Sequence, residues 1–136
     1  MSLNEQQKES VINCLSSEEL ALLSGGIGTG KTDTIVELLL QTVTLFKKVK
    51  ILWCAPSGLA VDNIAEKVLE SGKDINIVRI GHIASVSENV QLRCLDSLMN
   101  EAKITEDADD PDDDDKKVRI ILNLCPNTII YEKLTF

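Results

Sequence analysis

The chain has 136 residues, 43% hydrophobic and 26% charged, with a formal net charge of −8, which is enough apolar material for one domain with a real core and too little for two. No uncharged apolar run approaches the roughly 18 residues that a membrane span requires, and the opening Met1-Ser2-Leu3-Asn4-Glu5 lacks the basic-then-apolar plan of a signal peptide. The chain is therefore expected to be soluble and intracellular, in cytoplasm or nucleus, with Cys14, Cys54, Cys94 and Cys125 as reduced structural thiols, since they form no C-x-x-C and His82 is the only histidine.

In chain order, the first segment predicts a helix capped by Asn4. The apolar run Leu20 to Leu23 predicts a strand over residues 20–24, and residues 31–46 predict a helix with Ile35, Leu38, Leu39, Thr42 and Val43 on one side. Between them, Gly25-Gly26-Ile27-Gly28-Thr29-Gly30-Lys31-Thr32 satisfies G-x-x-x-x-G-K-[ST]. Strand, loop and helix together give the context in which this motif signifies a phosphate-binding loop rather than an ordinary glycine-rich turn. The glycines allow successive backbone N–H groups to turn inward around an anion, and the helix behind presents the positive end of its dipole. Lys31 would reach the β- and γ-phosphates of a nucleotide, and the Thr32 hydroxyl would ligate Mg²⁺.

Residues 49–55 predict a second strand, apolar but for Lys50, in which Trp53 is a core residue. Pro56 and Gly58 then punctuate, and residues 59–71 predict a helix carrying Val61, Ile64, Val68 and Leu69, stopping at Gly72. Residues 75–80 predict a third strand and residues 88–102 a third helix. Strands alternating with helices imply an α/β fold, a parallel sheet flanked by helices. The charge is local: residues 106–115 hold eight acids, and without them fourteen acids face fourteen bases. Like-charge repulsion, with Pro111 inside, predicts an acidic linker over 105–117. Its spacing does not fit an EF-hand calcium loop. Residues 118–136 carry no assignment.

These residues resemble a known family. Leu3-Asn4-Glu5-Gln6-Gln7 resembles the Q-motif, L-N-x-x-Q, of superfamily 1 helicases; the glycine loop resembles their G-P-P-G-T-G-K-T; and Ala55-Pro56-Ser57-Gly58-Leu59-Ala60-Val61-Asp62-Asn63 resembles their motif Ia, A-P-S-N-x-A-V-D-N. The branch with the nonsense-mediated-decay helicase, senataxin and the immunoglobulin mu-binding helicase is the most similar, through Val78-Arg79-Ile80-Gly81-His82 and Leu95-Asp96-Ser97-Leu98 as well. The resemblance implies an incomplete P-loop NTPase (RecA-like) domain over residues 1–104 that binds ATP and Mg²⁺ through residues 25–32. It implies that Gln7 contacts the adenine edge, an amide being able to donate and accept at once. It also implies that Ser57 and Gly58 hold a phosphate of single-stranded RNA or DNA, although Pro56-Ser57-Gly58 equally suits a turn and helix cap. Asp62 and Asn63 suit capping or surface roles, and His82 a surface or second-layer position with no assigned role.

Two departures matter. The family's Pro-Pro is Gly26-Ile27 here, and the motif Ia Asn is Gly58. No hydrophobic run ends in the Asp-Glu pair that the family uses to hold Mg²⁺ and polarise water: residues 118–124 reach Asn123, and residues 128–131 precede a lone Glu132. The expectation is the ATP-binding portion of a helicase whose remainder would supply hydrolysis, translocation and unwinding, with a non-catalytic nucleotide- or partner-binding module as the alternative.

Overall fold

The computed structural model describes residues 3–46, 49–102, 120–124 and 131–134. The expected acidic linker at 105–117 lies outside the described residues. The chain forms two compact units, Met1–Lys47 and Lys48–Phe136.

In the first unit, α1 (Glu5–Ser16) starts at Asn4, whose Oδ1 accepts from the Gln7 N–H at 2.8 Å while Gln7 Oε1 accepts from the Asn4 N–H at 2.9 Å. This reciprocal box satisfies two backbone donors that a helix start otherwise leaves open. Helix α2 (Lys31–Leu45) packs against α1. Its buried stripe is Thr34, Val36, Leu39, Leu40 and Thr42, while Ile35 and Leu38 are only half-buried. The face is thus rotated from the one that periodicity predicts. Thr42 can belong to it because its hydroxyl donates back to Leu38 O at 2.7 Å, removing an unpaired donor from the interior.

Residues 20–24 do not form the predicted strand. They join no sheet among the described residues, and Leu20 and Leu22 are exposed. A strand exists by pairing, and Leu20-Ala21-Leu22-Leu23 has no β-branched residue to favour extended backbone by itself.

In the second unit, β1 (Lys50–Ala55), β2 (Ile77–Ile80), β3 (Ile120–Leu124) and β4 (Tyr131–Leu134) form one sheet in the order β2-β3-β1-β4. Strand β3 runs parallel to both neighbours, with Ile120 opposite Ile51 and Ile77, while β4 pairs antiparallel to β1 with Tyr131 opposite Trp53. The tail without a sequence assignment thus supplies the strand that joins β1 to β2. Ile120 and Leu122 are buried, as a central parallel strand requires. Helix α3 (Gly58–Glu70) packs across β1 and β3 through Val61, Ile64, Ala65 and Val68.

The predicted single helix at 88–102 is broken. Residues 88–90 turn, Gln91–Arg93 form one 3₁₀ turn, and α4 (Leu95–Ala102) follows and packs against β2. The interruption is Cys94, fully buried in extended backbone, bridging Arg79 and donating its thiol to Gly81 O at 3.0 Å. Tertiary anchoring of one residue outweighs the helical pattern around it.

Candidate functional site

The glycine loop lies wholly in the first unit. Gly28 and Gly30 have φ of 78° and 76°, backbone that L side chains rarely adopt, and Gly30 is the residue immediately before α2. A Cβ on Gly25 would stand 2.8 Å from Thr29 Oγ1, and one on Gly30 would collide with Gln7 Nε2. Gly26 is different, since a Cβ there would meet only Thr29 Cγ2 at 3.8 Å. Thr29 Oγ1 donates to Gly26 O at 2.9 Å, which closes the loop on itself.

Lys31 turns back into this loop. Its Nζ donates to Gly25 O at 2.8 Å and to Gly26 O at 2.5 Å. Thr32 follows at the second position of a 15-residue helix, where the first N–H groups have no intrahelical acceptor. Ile27 projects fully into solvent at the loop tip. The structure therefore brings Gly25, Gly26, Gly28, Thr29, Gly30 and Lys31 together around one helix terminus.

Gln7 joins them. Its Nε2 donates to Thr29 O at 3.1 Å while its Oε1 holds the Asn4 N–H. The side chain that caps α1 thus ties α1 to the glycine loop. An amide has two donors and two lone pairs, so one of each is left over.

Ser57 caps α3, its Oγ accepting from the Ala60 N–H at 3.2 Å, and Gly58 is the first residue of that helix. Trp53 is 7% exposed within β1, as a core residue, and its indole N–H has no acceptor among the described residues. His82 is exposed and accepts from the Ala84 N–H through Nδ1 at 3.3 Å.

Asp62 corrects the sequence reading. It is not a capping or surface residue but 4% exposed, accepting from Arg79 Nε at 2.8 Å and from the Ser87 N–H at 3.1 Å. Next to it, Glu66 Oε1 accepts from Ser87 Oγ at 2.7 Å and Asn89 Nδ2 at 3.3 Å. This network was missed in the sequence. Its signal was Arg79, a permanent charge in the apolar strand Ile77–Ile80, whose burial calls for an acid as counter-ion. Elsewhere, burial pushes the Cys14 thiol up from its ordinary value of 9.0, so it is neutral at physiological pH and a poor nucleophile.

A glycine-shaped loop at the head of α2 and a parallel sheet flanked by helices define an incomplete α/β P-loop NTPase. The chain belongs to the AAA domain family, which it matches over residues 2–125, and within it to the superfamily 1 helicases of the Upf1-like group. It is 44% identical over 98 residues to the DNA-binding protein SMUBP-2 of Mus musculus, covering 72% of this chain and 10% of that protein. It is 43% identical over 96 residues to the DNA polymerase alpha-associated DNA helicase A of Schizosaccharomyces pombe (71% and 14%). An uncharacterized ATP-dependent helicase of Methanocaldococcus jannaschii is 42% identical over 89 residues (65% and 13%). The chain spans about a tenth to a seventh of the length of these curated relatives.

Proposed function

We propose that this chain binds ATP with Mg²⁺ as the N-terminal part, residues 1–104, of the ATP-binding domain of a superfamily 1 helicase. Lys31 approaches the β- and γ-phosphates, residues 25–30 cradle them, Thr32 ligates Mg²⁺ and Gln7 reads the adenine. The carrying observation is the loop itself: left-handed Gly28 and Gly30, with the Lys31 ammonium turned into the loop at the start of α2. The ammonium holds two carbonyl oxygens there, so an arriving phosphate finds a cation already in place. Mg²⁺ would neutralise phosphate charge and orient the terminal phosphoryl group.

Ser57 and Gly58 at the α3 terminus suit a phosphate of single-stranded nucleic acid, and the names of the relatives, a DNA-binding protein and DNA or ATP-dependent helicases, support that reading. Translocation and unwinding belong to the longer relatives' architecture, where a second domain closes on the nucleotide. Replacing Lys31 by Ala should weaken ATP by about 10- to 150-fold, the equivalent of one charge-assisted contact of roughly 1.5–3 kcal/mol. Calorimetry on both proteins tests this, and equal affinities would refute it.

A further inference from the structure

Arg79 is 2% exposed in β2. Asp62 takes its Nε edge and Nη1 donates to Ile80 O, but Nη2 has no partner among the described residues. That nitrogen stands 3.5 Å from where a Cβ would begin on Gly58, the first residue of α3. A buried guanidinium therefore ends with one unused N–H group at the N-terminal turn of a 13-residue helix, where backbone donors and the helix dipole already favour an anion.

We propose that Arg79 is a phosphate-binding residue for the single-stranded nucleic-acid backbone, reaching the α3 terminus through the gap that Gly58 leaves. This rests on the nucleic-acid reading of Ser57 and Gly58 above. A side chain at position 58 would start in van der Waals contact with Nη2 and cover it; glycine leaves it open. The Ser57 hydroxyl caps α3 through its oxygen, so its hydrogen is available to the same phosphate. Asp62 acts as a positioning residue, holding the guanidinium from the Nε edge. In this chain a guanidinium then does what the family's motif Ia amide would do from position 58.

The test uses the full chain, a labelled oligouridylate and inorganic phosphate. Gly58→Leu covers Nη2 without touching the ion pair, and Arg79→Lys keeps a charge for Asp62 while deleting the second guanidinium edge. Each should weaken the oligonucleotide by about tenfold and flatten the dependence of log K on log salt by about one. Thermal melting followed by circular dichroism should show Gly58→Leu as folded as wild type. Wild-type affinity and salt slope in a folded Gly58→Leu protein would overturn the assignment while leaving nucleic-acid binding intact. Conversely, inorganic phosphate shifting the Arg79 side-chain NMR resonances without any oligonucleotide binding would support the phosphate contact and overturn the nucleic-acid reading. No response to either ligand would overturn both.

Discussion

Individual side chains carry two jobs at once in this molecule. Asp62 is both the counter-ion of Arg79 and the acceptor for the Ser87 amide, so truncating it leaves a buried charge and a half-buried N–H unpaired. Asp62→Ala should lower the unfolding free energy by about 3–5 kcal/mol, the usual cost of removing one partner of a buried ion pair, measured by urea denaturation. A loss under 1 kcal/mol would show that the pair is solvated. Gln7 is likewise double: with one donor and one lone pair committed to Thr29 and Asn4, the remaining pair matches the donor–acceptor edge of adenine. The chain should prefer ATP to GTP by about 1–2 kcal/mol, one or two neutral hydrogen bonds, and Gln7→Ala should abolish the preference. Competition binding with both nucleotides would decide it, and equal wild-type affinities would count against the assignment. Lys31 and the glycines were legible in the sequence because their spacing encodes a backbone shape. The buried role of Asp62 was not, because an acid on a helix reveals its partner only when the fold delivers Arg79 from seventeen residues away.

At the scale of elements, the helices and strands whose patterns are local emerged where expected. Lys31–Leu45, Lys50–Ala55 and Gly58–Glu70 lie within a residue or two of their predicted bounds, since helical periodicity, the apolar run that follows Lys50 and a Ser cap are each written in adjacent residues. The departures at 20–24 and at 88–94, and the tail that carried no assignment, share a cause: each depends on whether a distant segment pairs with it. Strand β3 is the plainest case, five residues whose place between β1 and β2 follows from neither propensity nor spacing. The glycine loop offers an element-scale prediction. Because Gly26 is outside the left-handed region and has room for a Cβ, Gly26→Ala should restrict the empty loop and stabilise the chain by about 0.4–1 kcal/mol, read as a rise in melting temperature. The same change at Gly28 or Gly30, with φ near 78° and 76°, should destabilise it.

For the whole molecule, binding and turnover should separate. Hydrolysis in this family of reactions needs a group that orients water and a cation that stabilises the departing phosphate's charge, the latter worth about 10³–10⁵ in rate. Neither an Asp-Glu pair after an apolar run nor an arginine supplied from a second domain is evident in the 136 residues. The isolated chain should therefore hold ATP yet release phosphate near the background rate, with or without single-stranded RNA or DNA, in a phosphate-release assay. Robust turnover that disappears in Lys31→Ala would reveal a catalytic carboxylate still to be assigned. The network around Asp62 has a further consequence for how the second unit opens. Ser87 lies in a stretch with no regular structure, yet its amide is held by a carboxylate that the buried Arg79 clamps against the sheet. Its hydrogen can exchange with solvent only when that clamp releases, so this coil residue shares the slow exchange of the strands.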